Sequence, residues 1–237
     1  MIFFFIAVVL FLLVIASFFK GNSKNSKEIR LQPNVDSGNF NPIALIIDTE
    51  TTGLINDNSI RITKKNVTEI SNNFPRIVQI SYMLIDEKGN YEGENFYIKQ
   101  NDKIPKEAIK IHKITDEKCE KDGIQLEDAL RNLISVVSKV DNIVGHNISF
   151  DYKVLHAEYV RCNIGFPLQN KNKIDTMKLV GKQLGFKYGY KLSLYNSAEK
   201  LFGKNPIWQN IKVNLKEHDA ESDVIVTALL FQLLYKK

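Results

Sequence analysis

Three short acidic segments carry the side chains that could bind metal ions and activate water. The first, DTE, places Asp48 and Glu50 at the exit of an apolar run, and the second, HNISFD, ends in Asp151. The third, HDAESD, begins with His218 and ends in Asp223. Two carboxylates one residue apart at the end of a buried strand repel each other and are costly to desolvate, unless a cation lies between them. The chain therefore offers four candidate oxygen ligands and one imidazole.

Each segment alone has an ordinary structural explanation. A DTE sequence can form a surface turn, Asp151 can interact with the dipole of the helix that it opens, and Asp219 can cap the last helix. Taken together, four carboxylates and no thiolate favour a hard cation, Mg²⁺ or Mn²⁺. Such a set suits two ions roughly 3.5–4 Å apart, an arrangement that promotes phosphoryl displacement. Because an imidazole titrates near neutrality, His218 is the candidate base for an attacking water.

These residues need a sheet edge at which they can converge. The pattern predicts a buried strand at 43–48, a second strand at 76–86 and its hairpin partner at 91–99. Two shorter strands, NIVG and KID, each lead into a helix. Helices are predicted after Pro105 and at 125–140, 149–162, 176–185, 191–203 and 219–235. Strands that cluster first and then alternate with helices predict an α/β fold, a mixed β-sheet flanked by α-helices.

Length and composition fit one globular domain with an appendage. Of the 237 residues, 44% are hydrophobic, which is enough for a core of ordinary size. The formal net charge of +5 gives a mild preference for polyanionic partners. The two cysteines, Cys119 and Cys162, fit neither a disulfide framework nor a zinc site, and they indicate reduced thiols.

The amino-terminal segment differs in composition from the rest of the chain. Residues 2–19 are uninterrupted apolar sequence, close to the ~18 residues at which a membrane-spanning helix is predicted. A cleaved signal peptide, the alternative, would need a basic start and an apolar run of roughly 7–15 residues. We therefore predict a transmembrane anchor at 1–19, a polar basic linker at 20–41 and a folded domain at 42–237. Membrane fractionation of the full chain distinguishes the anchor from the signal peptide.

The basic residues next to the apolar run predict the orientation of the anchor. Lys20, Lys24, Lys27 and Arg30 follow the run at once, and only the amino terminus precedes it. Positive residues close to a span tend to remain on the cytoplasmic side. The folded domain is therefore expected to be membrane-anchored by a single pass and to face the cytoplasm, a reducing compartment that suits unpaired cysteines.

The segment from Ile55 to Phe74 separates the first two predicted strands. It is polar, contains Lys64 and Lys65, and has only weak strand character. We predict a loop here, and a flap that contacts a substrate or a partner is the alternative.

In their order, DTETTG, HNISFD and HDAESD resemble the three motifs of the DEDDh family of 3′–5′ exonucleases. That family includes bacterial proofreading subunits, ribonuclease T and oligoribonuclease. The stretches PRIVQIS, IHKITDE and IDTMKL match as well, so the resemblance covers about residues 42 to 237. It implies a ribonuclease H-like fold, which agrees with the mixed sheet predicted above.

The resemblance also implies roles for individual residues. Asp48 and Glu50 would bind two divalent ions together with Asp151 and Asp223. His218 would be the general base.

A subsite for the terminal nucleotide is implied in the same way. Backbone near Glu50 and Thr51 would receive this nucleotide, with Leu54 as an apolar wedge. Asn147 and Phe150 would line the same subsite.

Two features depart from the family pattern. Lys113 stands where many relatives have glycine, in the sequence IHGIT, and the long segment 55–74 has no assigned role. Neither departure touches a proposed ligand. The remaining histidines His112 and His156 have no partners at metal-ligand spacing, so we predict structural roles for both.

The sequence thus predicts a membrane-tethered, metal-dependent 3′–5′ exonuclease that releases nucleoside monophosphates from single-stranded nucleic acid. One alternative is a catalytically silent module of the same fold that holds nucleic acid or a protein. Another is a membrane-associated interaction protein with an incidental acidic cluster. The motifs lack neither a ligand nor the base, which argues against the silent module. DNA and RNA are not distinguished, because recognition of the 2′-hydroxyl has no readable motif here.

Overall fold

The computed structural model describes residues 40–186 and 192–235, and this part of the chain contains one six-stranded sheet. The strands are β1 (Ala44–Thr51), β2 (Ile77–Ile85), β3 (Tyr91–Ile98), β4 (Gly123–Ile124), β5 (Asn142–Gly145) and β6 (Asn172–Asp175). Their order across the sheet is β4–β3–β2–β1–β5–β6.

The described helices connect and cover these strands. They are α1 (Val67–Asn73), α2 (Lys106–His112), α3 (Asp116–Asp122), α4 (Leu126–Val137), α5 (Ile148–Arg161), α6 (Thr176–Gln183), α7 (Leu194–Phe202), α8 (Pro206–Lys212) and α9 (Ala220–Leu234).

The pairing of the strands brings several strand ends to one edge of the sheet. β1 pairs antiparallel with β2 and parallel with β5, and β5 pairs parallel with β6. β2 pairs antiparallel with β3, so that β3 runs in the direction of β1. The carboxyl ends of β1, β3, β5 and β6 therefore lie at the same edge, which we call the carboxyl edge.

Hydrophobic cores lie on both faces of the sheet. On one face, Ile46 and Met83 pack with residues of α9, including Val226 and Leu230. On the other face, residues of β1 and β2 such as Leu45 pack with α4 and α5. Because both faces are covered, all nine residues of β2 are buried. Its polar residues consequently need partners inside the protein.

The predicted mixed sheet and its main elements are confirmed, and several short elements were missed. The structure adds α3, α8 and the two-residue strand β4. It also places α1 within the segment that was predicted to be a loop. Helix α5 begins earlier than predicted, because its N-cap is Asn147 rather than Ser149. The backbone N–H of Asn147 donates to Asp175 Oδ1 at 3.0 Å, so a residue of β6 fixes this helix start.

The membrane-related predictions fall on a different part of the chain. The anchor predicted at 1–19 and all but the last two residues of the linker lie outside the described residues, and both stay predictions. Within residues 40–186 and 192–235, no helix combines the length and apolar character needed to cross a bilayer.

Lys113 has a backbone conformation that explains the glycine of related sequences. It is the C-cap of α2, with a φ of 62° in the left-handed region, and its N–H donates to Ile109 O. An L-residue in this region is disfavoured by roughly 1–2 kcal/mol, whereas glycine is not. We expect Lys113→Gly to raise the free energy of unfolding by about 0.5–1 kcal/mol, measured by urea denaturation, since part of the gain is lost to the freer unfolded chain.

Lys110→Gly is the matched control for this substitution. It removes the same side chain from the interior of α2, where glycine lowers the free energy of unfolding by about 1 kcal/mol. If both variants lose stability, the left-handed backbone at Lys113 does not destabilise the wild type.

Candidate active site

The end of β1 carries two of the predicted ligands, Asp48 and Glu50, and is hydrogen-bonded to a third, Asp151. Asp48 and Glu50 project from the same face of β1, because alternate residues of a strand share a face. Between them, Thr49 donates to Asp151 Oδ1 through both its backbone N–H (3.0 Å) and its hydroxyl (2.8 Å). Asp151, in the first turn of α5, is only 3% exposed. These hydrogen bonds fix the start of α5 against the strand.

The start of α9 brings the last two predicted residues to the same place. Asp219 caps this helix by accepting hydrogen bonds from the N–H and the hydroxyl of Ser222. Asp223 lies buried in the first turn, and His218 precedes the cap with a φ of 61°. Glu50, His218 and Asp223 can each offer a ligand atom within 4.8 Å of the others. The exposed imidazole of His218 therefore lies beside the half-buried Glu50 and the buried Asp223.

Burial and mutual repulsion raise the pKa values of all four carboxyls. Burial raises the pKa of Asp48 well above its ordinary range, and Asp151, Asp223 and Glu50 raise it further. Burial, Asp151 and Asp219 raise the pKa of Glu50 to about 8. The charge of Asp151 therefore acts on both carboxyls of β1.

Burial is also the main cause of the raised pKa values of Asp151 and Asp223. Burial raises the pKa of Asp151 to about 7, although the hydrogen bonds from Thr49 oppose the shift. Burial also raises the pKa of Asp223 well above its ordinary range, and the charge of Glu50 adds to this effect. A bound cation would reverse these shifts, because it favours the ionised carboxylates.

A buried oxygen of Asp223 fits a cation site. Its Oδ1 has no hydrogen-bond partner among the described residues. The hydroxyl of Tyr195, on α7, approaches this carboxyl and lowers its pKa, but the two groups do not reach hydrogen-bond geometry. An unpaired buried carboxylate oxygen is costly, and a metal ion would satisfy it. The donor set, carboxylate oxygens without thiolates, fits Mg²⁺ or Mn²⁺.

A buried glutamine of β2 holds the start of α9, and the sequence analysis did not single it out. The Gln79 amide donates to Asp219 Oδ1 (2.9 Å) and to Asn95 Oδ1 (3.0 Å), and its carbonyl accepts from the N–H of Ala220 (3.1 Å). Gln79 is fully buried. The signal for this role was a glutamine in the middle of an apolar strand, which must find partners inside the fold.

The two histidines predicted to be structural are both packed into the fold. His112 Nδ1 accepts a hydrogen bond from the N–H of Ile114 at 3.0 Å, and burial lowers the pKa of its ring. The His156 ring stacks on Phe166, with 4.3 Å between the ring centroids. His112 nevertheless lies near the site, since His218 further lowers its pKa.

The residues predicted for the terminal nucleotide have different surroundings. Thr51 is buried at the end of β1, and its hydroxyl donates to Gly53 O at 2.6 Å. Leu54 follows in an exposed loop with 79% of its surface accessible, as an apolar wedge requires. Asn147 is exposed at the N-cap of α5, whereas Phe150 packs partly against the core. The first three lie at the carboxyl edge, and Phe150 offers less free surface.

A protein-family model identifies the class of protein to which the chain belongs. The family described as exonuclease, RNase_T, matches residues 45–231, which span β1 to α9 and include all three motifs. The chain belongs to this exonuclease family. The resemblance to DEDD-type 3′–5′ exonucleases is thereby confirmed, and residues 45–231 form an exonuclease-family domain with an α/β fold of the ribonuclease H type.

Individual relatives agree with this family. The chain is 30% identical over 135 residues to a DNA polymerase III of the PolC type from Mycoplasmopsis pulmonis (strain UAB CTIP). The aligned region covers 57% of this chain and 8% of that protein. Exonuclease X in complex with 5′ overhanging duplex DNA has 22% identity and a TM-score of 0.53, over 80% of this chain and 89% of its own.

Exonuclease I of E. coli provides a further structural match. Its complex with a dT13 oligonucleotide has 20% identity and a TM-score of 0.57, over 80% of this chain and 40% of the other. A zinc-bound Exonuclease I complex with single-stranded DNA matches over the same shares, at 18% identity and a TM-score of 0.56. The exonuclease therefore spans less than half of Exonuclease I and a small part of the polymerase, and these structural likenesses concern the fold.

Proposed function

We propose that this exonuclease removes nucleotides one at a time from the 3′ end of single-stranded nucleic acid and releases nucleoside 5′-monophosphates. The observation that carries the proposal is the cluster of four carboxyls with raised pKa values beside His218, at the carboxyl edge of a family exonuclease domain. The solved complexes of Exonuclease I with oligonucleotides support single strands as the substrate class.

Two divalent ions are the proposed cofactors, held by Asp48, Glu50, Asp151 and Asp223. Bound there, Mg²⁺ or Mn²⁺ would stabilise the charge that develops on the attacking and leaving oxygens of a phosphoryl displacement. The carboxylates determine where such ions bind, and the hydrogen bonds from Thr49 keep Asp151 in place.

His218 is the proposed general base. Its exposed imidazole takes a proton from the water that attacks the terminal phosphodiester, and the neighbouring carboxylates stabilise the imidazolium that results. The phosphorus–O3′ bond breaks as the new phosphorus–oxygen bond forms. The products are a nucleoside 5′-monophosphate and a strand that is shorter by one nucleotide and ends in a 3′-hydroxyl.

The terminal nucleotide is proposed to lie beside Thr51 and Leu54. The exposed Leu54 would contact the base, while backbone at the end of β1 would contact the sugar. Asn147 and Phe150 would line the opposite side. This placement makes a free 3′-hydroxyl part of what the exonuclease recognises.

Matched DNA and RNA oligonucleotides test direction and substrate class. We expect the full chain to shorten 5′-labelled single strands from the 3′ end, to require Mg²⁺ or Mn²⁺, and to lose activity with a chelator. A 3′-phosphate should slow the reaction, because it removes the recognised hydroxyl. A circular single strand is the control, and its cleavage at a comparable rate would contradict the exonuclease direction proposed here.

A further inference from the structure

A cavity of about 230 Å³ opens at the carboxyl edge, and none of the roles proposed above uses it. Apart from the exit of β1, its walls come from four parts of the chain: the segment 55–74, which contains α1 and which we call the excursion, the start of β2, residues 98–105 at and after the end of β3, and the start of α4. We call it the edge cavity. Thr52 is the residue of the β1 exit that lines it.

The edge cavity lies close to the carboxylate cluster. Thr52 is two residues beyond Glu50, so their Cα atoms are at most about 7 Å apart. Its N–H donates to Arg76 O at 2.8 Å, and its hydroxyl accepts from the N–H of Arg76 at 2.9 Å. These bonds fix the cavity wall to the exit of β1. In a stacked strand with ~3.4 Å per nucleotide, 7 Å corresponds to about two nucleotides.

The lining of the edge cavity is mainly polar, and its basic side chains outnumber its acidic ones. Phe74, Ile77 and Leu126 lie beneath this lining and are only 4%, 1% and 7% exposed, so they leave little apolar surface in the cavity. Lys99, whose Nζ lies 3.6 Å from Glu120 Oε1, and the exposed Lys103 line the cavity together with Asp102. Cations among polar side chains suit the sugar-phosphate backbone of a nucleic-acid strand, because the cations can contact phosphates and the polar groups can contact sugars.

The excursion is held in place as one wall of the edge cavity. Arg161, on α5, donates to the carbonyls of Ile70 (3.0 Å), Phe74 (2.7 Å) and Pro75 (3.1 Å). Lys64 donates to Asn163 Oδ1 at 2.6 Å. Ser71 of α1 then lines the cavity from this anchored segment. The excursion is thus part of a built surface, which favours the substrate-contacting alternative over a simple loop.

We propose that the edge cavity is a second subsite, which takes a nucleotide upstream of the terminal one on the same strand. The proposal rests on the proposed function, because it assigns the cavity to that substrate. Lys99 and Lys103 contact the phosphates of the strand, and the polar lining contacts its sugars, so that the subsite does not select a base sequence. The excursion supplies Ser71 and Phe74 to this subsite.

A comparison of two substrates separates this subsite from the reacting centre. The p-nitrophenyl ester of thymidine 5′-monophosphate offers only one nucleotide, whereas a single-stranded 12-mer also reaches the edge cavity. In the full chain, we expect the double variant Lys99→Ala/Lys103→Ala to lower kcat/KM on the 12-mer, relative to that on the ester, by about tenfold or more. The effect should appear mainly in KM, and the slope of log KM against log salt should fall by about 0.7 per lysine.

Two matched controls define the outcome. Lys88→Ala removes the same charge at the β2–β3 turn and should leave the ratio of the two efficiencies as in the wild type. Ser71→Glu places a negative charge in the edge cavity and should lower the ratio, whereas Asn72→Glu adds this charge at the next exposed position of α1 and should change it less. If the ratio of kcat/KM on the 12-mer to kcat/KM on the ester is the same in the lysine double variant and in Lys88→Ala, the edge cavity is not a subsite.

Failure of the proposed function gives a different result. If the wild type hydrolyses neither substrate, the proposed function is contradicted, and the subsite is judged by fluorescence anisotropy with a labelled 12-mer. Weaker binding by Lys99→Ala/Lys103→Ala than by Lys88→Ala supports the subsite, and equal binding overturns it.

Discussion

Asp223→Asn is expected to lower nuclease activity by at least about 10²–10³-fold, the loss found when one group that stabilises developing charge is removed. Asparagine keeps the size of the side chain but removes a negative ligand from the cluster. Metal affinity should fall together with activity, which titration calorimetry with Mn²⁺ would measure. Asp141→Asn is the matched control, because this side chain is 94% exposed and lies outside the cluster.

The same variant should make the metal-free protein more stable at pH 8. The ordinary pKa of a carboxyl is about 4, whereas the pKa values of Glu50 and Asp151 are raised to about 8 and about 7. The folded cluster therefore holds protons that the unfolded chain has lost. By linkage, the free energy of unfolding falls as the pH rises from about 4 to about 8, because carboxyls that are buried in the fold become ionised there and repel one another.

Replacing Asp223 removes one of the repelling charges. In the presence of a chelator at pH 8, we expect Asp223→Asn to unfold at a higher temperature than the wild type. Its free energy of unfolding should be higher by about 1–3 kcal/mol, and this difference should be smaller at pH 6. Added Mg²⁺ should stabilise the wild type more than the variant. A variant that melts at a lower temperature than the wild type at pH 8 would show that the cluster does not carry this repulsion.

The positions of the proposed ligands could be predicted from the sequence because each stands at a recognisable boundary between elements. Asp48 and Glu50 end a buried strand, and Asp223 follows a capping aspartate within one helical turn. Parallel pairing of β1 with β5 then brings Asp151 to the same edge. Local patterns and one topological rule were sufficient for these residues.

The supports of the site could not be predicted, because their partners are far apart along the chain. Gln79 and Asp219 are separated by 140 residues, and Thr49 and Asp151 by 102. Helix α1 was missed for a related reason. It is only seven residues long, and Arg161 of α5 accounts for much of its position by binding carbonyls at its end. A tertiary contact of this kind leaves no periodic signal in the excursion itself.

The role of His218 predicts a loss of turnover without a loss of metal. We expect His218→Asn to lower kcat by roughly 10²–10⁴-fold, the range attributed to a positioned general base, while Mn²⁺ affinity stays near that of the wild type. Asparagine is chosen because it tolerates the left-handed backbone at this position, where φ is 61°. His156→Asn is the control, because that ring stacks on Phe166 and has no proposed role in catalysis.

Metal affinity distinguishes the general base from a metal ligand. A ring nitrogen of His218 lies within 4.8 Å of carboxylate oxygens of both Glu50 and Asp223, a spacing that would also suit coordination. If His218 is a ligand, its replacement weakens Mn²⁺ binding in calorimetry, and excess metal restores activity. If it is the base, excess metal has no effect, and free imidazole restores part of the activity of His218→Gly, because it can accept the proton in the space that the side chain leaves. Near-normal turnover by His218→Asn would instead mean that another group activates the water.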